Sequence, residues 1–284
     1  MTNIFTVDLE DWFHVCGVSS LSRDRWRSLP SRVGDTTRWL LDTLDAAGVR
    51  ATFFVLGWIA EEHPQLVAAV RSGGHDIGSH GHDHVRAYEL TEDAFAADVR
   101  KSVAALRAVG VPRVTAFRAP EWSINERSLW ALESLAREGF TTDASMAPVR
   151  IVGSPAFPRG PHLRQTDSGP IMELPPLVAD RFGQVMPLGW GWGLRMSSPR
   201  TVLRRIEEVN RDGSPAVLAV HPWELDIDPP RVRLPAALHF AHYFHLDGFR
   251  NRLRSILEGA SFGPVSSLGA NHSTAALSTP SMVR

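Results

Sequence analysis

Short runs of apolar, β-branched and aromatic residues alternate along the chain with longer stretches in which apolar residues recur every three or four positions. The first pattern suits buried strands and the second amphipathic helices, and their regular alternation predicts βα units around a parallel sheet. Strands are expected at 4–9 (IFTVDL), 51–57 (ATFFVLG), 74–80 (GHDIGSH), 114–120 (VTAFRAP), 140–146 (FTTDASM), 171–176 (IMELPP) and 216–222 (AVLAVHP). A helix is expected over 33–48, where Leu40, Leu41, Leu44 and Ala47 share a face and Gly48 is a stop signal. Others are expected near 61–72, 92–108, 124–138, 198–212 and 248–259. The stretch 177–197, with MPLGWGWGLRM, is rich in Gly and Trp and reads as an ordered loop over the barrel mouth. No repeat or linker divides the chain. One domain is therefore expected over 1–265, followed by a small, polar, disordered tail over 266–284.

Composition narrows the function classes. A chain of 284 residues with 43% hydrophobic content fits one large α/β barrel domain. The net charge of -1, with charges scattered rather than clustered, gives no electrostatic reason to expect nucleic acid or another polyanion. An uncharged or weakly charged substrate follows. The single cysteine, Cys16, cannot form an internal disulfide, and the first residues show no secretion signal, so the cytoplasm is the expected compartment. No apolar run approaches the ~20 residues of a membrane-spanning helix, which leaves peripheral membrane contact open.

The chemistry-bearing residues fall at the C-terminal ends of the expected strands: Asp8, Glu10 and Asp11; His80, His82 and His84; Arg118; Asp143; and His221. Parallel barrel strands bring these ends to one mouth, so residues distant in sequence converge there. Any one strand-end aspartate is as readily a helix cap or turn residue, but agreement across five strands is not easily explained that way. In HDIGSHGHDHVRAY, His80 and His84 are four apart, which would set both imidazoles on one side of a helical turn as ligands for zinc or a similar divalent ion, with His82 pointing elsewhere. The DLED cluster of the first strand supplies a carboxylate, giving two histidines and one carboxylate with positions left for water and substrate. His75, at the strand's start, reads as structural. Strand alternation puts Asp8 and Glu10 on one face, whereas a bulge would bring Asp11 round.

Together these segments resemble the polysaccharide deacetylase family, also called the NodB-homology family or carbohydrate esterase family four. The resemblance lies in TVDLED, SHGHDH, RAPEW, TTDAS and LAVHPWE, which occur in the family's motif order between about residues 3 and 265. TVDLEDWFHV, HPWELD and HFAHYFHLDGFRNRLRSIL further resemble a branch with a family-specific C-terminal extension, here from about 177, associated with exopolysaccharide biosynthesis. The resemblance implies a distorted seven-stranded, TIM-like (β/α) barrel. Its members use aspartate as metal carboxylate, which favours Asp11, with Glu10 as the alternative. The DLED insertion departs from the family's adjacent aspartates, and the fourth motif lacks the tryptophan some members carry; Trp122, Trp190, Trp192 or Trp223 would replace it.

The resemblance implies a hydrolase that removes N-acetyl groups from N-acetylhexosamine units of a polysaccharide, a lipid-linked oligosaccharide or a glycosylated small molecule. The metal, most simply Zn2+, would be held by Asp11, His80 and His84. Asp8 would be the base, oriented by Arg118, and His221 the acid, its pKa raised by Asp143; Pro120, Trp122 and Trp223 would bind substrate. Alternatives are an amidohydrolase acting on a linear or cyclic non-sugar C–N bond of the ureide type, and a catalytically silent carbohydrate-binding protein. Oligomeric state is not legible.

Overall fold

The computed structural model of the protein describes residues 1–268. Its strands are β1 (Asn3–Leu9), β2 (Thr52–Val55), β3 (Asp76–Ser79), β4 (Ala116–Phe117), β5 (Thr142–Asp143), β6 (His162–Arg164), β7 (Ile171–Glu173), β8 (Val178–Arg181), β9 (Gln184–Pro187), β10 (Val217–Val220) and β11 (Phe262–Gly263). Its helices are α1 (Val33–Ala46), α2 (Gly57–Glu62), α3 (Pro64–Ser72), α4 (Glu92–Ala108), α5 (Trp130–Arg137), α6 (Gly191–Met196), α7 (Pro199–Arg211), α8 (Ala236–Tyr243) and α9 (Phe249–Gly259).

The main sheet runs β10-β1-β2-β3-β4-β5-β7-β6, and β11 adds to β1. Every pairing from β10 to β7 is parallel, and these strands are the ones the hydrophobic pattern predicts. The sheet curls on itself. Its open side is closed not by a regular ladder but by single contacts, Leu177 N to Val217 O and Ala219 N to Gly189 O, each 2.9 Å. The fold is thus an α/β fold with a distorted, barrel-like parallel sheet.

Strand β1 shows why such strands read as continuous apolar runs, because all its residues are buried, on both faces. Phe5, Val7 and Leu9 join the large core beneath the helices. Ile4, Thr6 and Asp8 alternate with them: Ile4 packs with Phe54, Ala116 and Val217, while Thr6 and Asp8 both meet Arg118. The inner face is therefore apolar at its base and charged at its C-terminal mouth.

Three departures have local causes. The helix expected near 61–72 is divided into α2 and α3, with Pro64 opening α3, where its missing N–H costs nothing. The segment 177–197 is not a loop: it forms the β8–β9 hairpin and α6. Gly193 is a close-approach position there, since a Cβ on it would lie 2.3 Å from the Pro187 carbonyl oxygen, so the glycine is what lets α6 pack against β9. Finally, the ordered chain continues past 265 through Leu268, with Ser266 N bonded to Asp76, and the rest of the expected tail, 269–284, lies outside the described residues. Among the described residues no helix is long and apolar enough to cross a membrane.

Candidate metal centre and active site

The histidine segment leaves β3 as a loop, not a helical turn. Gly81 has φ +74°, and a Cβ there would lie 2.8 Å from Asp98, whose carboxylate accepts the backbone N–H groups of His82 and Asp83. His84 itself has φ +51°, an uncommon conformation for a non-glycine residue. This loop, rather than the spacing of four, turns His80 and His84 to one side. His82 points away as expected, its ring bonded to Asp83 and, at 3.1 Å, to Glu61. His75 is structural, accepting the Ala51 N–H at 3.1 Å.

The carboxylate that joins this pair is Glu10. Ligand atoms of Glu10, His80 and His84 all lie within 4.8 Å of one another, and all three residues are buried. Asp11, the favoured ligand from the sequence, is instead spent on structure. Its oxygens accept the backbone N–H groups of Trp12 (2.9 Å), Arg32 (3.0 and 3.1 Å) and Val33 (3.3 Å) and the Ser31 hydroxyl (2.5 Å). It therefore caps the start of α1, where free N–H groups and the helix dipole favour an anion. β1 keeps an unbroken register with β2 through Leu9, and Asp8 and Glu10 both face His221 at the mouth.

The donor set suits a divalent ion. His80 Nδ1 lies 2.8 Å from the Arg118 carbonyl oxygen, so that nitrogen carries the proton and Nε2 presents its lone pair. Burial lowers the His80 pKa to about 4, against the pull of Asp8 and Glu10, which keeps the ring neutral as a ligand must be. Glu10 Oε2 contacts His84 Nε2 at 2.6 Å. Burial disfavours charge on both groups, yet each stabilises the other's ionised form, so Glu10 is held below the usual carboxylate range and His84 well above the usual histidine range. Two buried groups share one proton at a point where a cation can take its place. Glu10 Oε1 accepts the Trp223 indole N–H at 3.0 Å. On its far side His84 Nδ1 meets Cys16 Sγ at 3.4 Å, and the thiol also reaches the His84 carbonyl at 3.1 Å.

Beside this cluster lies a second one. Arg118 is wholly buried and its NH1 donates to Asp8 Oδ1 at 2.7 Å and to Thr6 at 2.8 Å; its Nε donates to the Ala144 carbonyl at 2.9 Å. Its guanidinium sits 4.5 Å over the Phe54 ring. Asp8 Oδ2 has no hydrogen-bond partner among the described residues and faces His221 Nε2 at 3.6 Å. His221 Nε2 also lies 3.7 Å from Glu10. Burial alone would depress the His221 pKa, but the charge and hydrogen bond of Glu224, with Glu10 and Asp8, raise it to about 9.

Glu224, not Asp143, is the carboxylate on His221, with Nδ1 to Oε2 at 2.9 Å. Asp143 is engaged elsewhere. It accepts the Ser145 hydroxyl at 2.6 Å and shares a proton with Glu173; burial raises both pKa values, and that of Glu173 rises furthest because the Asp143 charge adds to it. A signal for Glu224 is present in HPWE: Pro222 opens the 3-10 turn and the glutamate three residues after His221 reaches back to its backbone N–H at 2.9 Å.

The expected substrate residues divide. Pro120 and Trp122 form a buried turn at the mouth, and the Trp122 indole nitrogen has no hydrogen-bond partner among the described residues. Trp122 packs on Trp190 at 5.3 Å between centroids and edge-on to His221 at 6.0 Å. Trp223 is half-buried and stacks on both His221 (5.2 Å, 26°) and His242 (4.3 Å, 20°). Trp192 lies against Phe240.

Fold and site together define an α/β barrel with a candidate metal centre of two histidines and one carboxylate at its C-terminal mouth. Residues 28–140 match the polysaccharide deacetylase family, and residues 144–269 match a domain of unknown function. The likeness to the polysaccharide deacetylase family thus lies in the N-terminal half of the chain. It is 34% identical over 95 residues to a peptidoglycan-N-acetylglucosamine deacetylase of Bacillus cereus, which is 33% of this chain and 34% of that protein. It is 48% identical over 48 residues to a protein of the same description from Listeria monocytogenes, 17% of this chain and 10% of that one. The chain therefore spans about a third or less of the length of these relatives. Among solved structures, one assigned to the polysaccharide deacetylases of Mycobacterium smegmatis superposes with a TM-score of 0.60 at 18% identity, covering 99% of this chain and 96% of that one. A peptidoglycan N-acetylglucosamine deacetylase superposes with a TM-score of 0.50 at 18% identity, covering 94% and 86%.

Proposed function

We propose that the protein is a metal-dependent N-deacetylase of N-acetylhexosamine units in a glycan or a glycosylated small molecule. The observation that carries this reading is the pairing of the Glu10–His80–His84 cluster with an Asp8–Arg118 pair and His221 at one mouth. An amide is a weak electrophile with a poor leaving group, so its hydrolysis needs an activated water, a stabilised oxyanion and a proton for nitrogen. Glu10, His80 and His84 would hold the divalent ion, most simply zinc, which supplies Lewis acidity toward water and the acyl carbonyl.

This chain's own groups do the rest. Asp8 is oriented by Arg118 through Oδ1, which leaves Oδ2 to accept the proton of the attacking water. His221, protonated at neutral pH, delivers a proton from Nε2 to the departing amine. Trp122 and Trp190 wall the acyl group, and the unpartnered Trp122 N–H is placed to donate to substrate. The test is acetate release from N-acetylglucosamine oligomers by zinc-loaded protein. Asp8→Asn should retain the ion and lose ~10²- to 10⁴-fold in kcat, the usual range for a general base. Hydrolysis of a cyclic ureide without acetate release would contradict the reading.

A further inference from the structure

We propose that Glu224 and Arg195 are positioning residues that lock His221 with its Nδ1–H on Glu224 and its Nε2 toward Asp8 and Glu10, and that α8 holds this pair in place. The inference rests on the reading of His221 as proton donor.

Glu224 Oε2 takes both the His221 ring Nδ1 and the His221 backbone N–H, each at 2.9 Å, so one oxygen fixes the residue's main chain and its imidazole together. Oε1 meets Arg195 Nε in an ion pair at 2.9 Å, with both side chains wholly buried. A guanidinium only donates. Its fixed positive charge beside Oε1 favours the ionised Glu224, so Oε2 can only accept and Nδ1 must carry its hydrogen, which leaves Nε2 to face the reaction centre.

Arg195 is held in turn by backbone carbonyls at the end of α8. Its NH1 donates to Phe244 O at 2.6 Å and His242 O at 3.3 Å, and its NH2 donates to Ala241 O. The last carbonyls of a helix lack partners within it and carry the negative end of its dipole, so they suit a buried cation. The same helix reaches the site by a second route, since His242 stacks on Trp223, which stacks on His221 and donates to Glu10. Asp143 offers no competing contact, being engaged with Ser145 and Glu173. All these positioning residues lie within 144–269, the region matched by the domain of unknown function. That region thus builds the orientation of the proton donor rather than merely covering the barrel.

The decisive variant is Glu224→Gln in the full chain. Arg195 would hold the glutamine oxygen, turning the amide NH2 toward two donors, Nδ1–H and the His221 N–H. In protein carrying 15N-histidine, the downfield, exchange-protected Nδ1–H resonance of His221, assigned by its loss in His221→Gln, should disappear in Glu224→Gln and persist in Arg195→Lys. Turnover of an N-acetyl sugar should fall ~10²-fold in Glu224→Gln and ~10-fold in Arg195→Lys, while para-nitrophenyl acetate, whose leaving group needs no proton, should change by less than about threefold. Should Glu224→Gln not fold, the unequal loss in Arg195→Lys carries the test. An unchanged Nδ1–H resonance in Glu224→Gln, or equal losses on both substrates in either variant, overturns the proposal. If the wild type cleaves neither substrate, the proton-donor reading fails, and the resonance still decides whether Glu224 positions the ring.

Discussion

The indole N–H of Trp223 donates to Glu10 Oε1 at 3.0 Å, so the carboxylate of the candidate metal centre is oriented by the residue two positions after His221. The two halves of the site are thereby linked by one hydrogen bond. Trp223→Phe keeps an aromatic ring between His221 and His242 and removes only that donor. Outer partners of metal ligands typically contribute 10- to 100-fold in affinity. Zinc affinity of Trp223→Phe, measured by competition with a chelator, should fall by about 10- to 100-fold, with unfolding stability changed by less than ~2 kcal/mol.

On the proposed function, His221 would set the alkaline limit of activity. Its folded pKa is raised from 6.5 to about 9, so the protonated form persists through neutral pH and is lost as pH rises through the shifted value. A cation on Glu10 offsets that carboxylate's share of the shift. The alkaline limb of kcat/KM should therefore fall between 6.5 and about 9, and His221→Gln should abolish it.

The Asp143–Glu173 pair predicts a stability profile independent of catalysis. Burial, then the charge of Asp143, raises the Glu173 pKa well above 4.5. A raised carboxyl contributes fully below its unfolded value and loses that contribution as pH rises through the folded one, because the unfolded chain then releases a proton the folded chain retains. Urea unfolding should show stability declining with pH in that window. Glu173→Gln, which can donate to Asp143 and accept from Met146, should remove about one proton's worth of slope, ~1.4 kcal/mol per pH unit.

What the sequence makes legible is what depends on local period. The seven parallel strands and the gathering of Asp8, His80, Arg118 and His221 at one mouth follow from alternation and strand ends, whereas the directions of His82 and His84 come from the loop around Gly81. The choice between Glu10 and Asp11 depends on something period does not contain, the demand of α1 for a cap some twenty residues later in the chain, which Asp11 meets. Glu224 was readable as a turn residue in HPWE but not as the partner of His221 in place of Asp143. Arg195 and His242 had no local signal, because their roles arise only when α6 and α8 fold back over β10. The Gly and Trp of 177–197 misled for a related reason: Gly193 serves close packing and Trp190 a tertiary contact, and both look locally like loop.

On the proposed function, Glu10, with His80 and His84, holds a divalent ion that N-deacetylation requires. This role is tested most directly by measuring bound zinc and acetate release from N-acetylglucosamine oligomers on the same samples of wild type, Glu10→Gln and Asp11→Asn. Wild type should carry about one zinc and be active, and Glu10→Gln should lose both. Asp11→Asn should retain zinc and measurable activity while losing about 1–2 kcal/mol of stability through its weakened cap. Full zinc occupancy in Glu10→Gln with loss of zinc in folded Asp11→Asn would contradict this role.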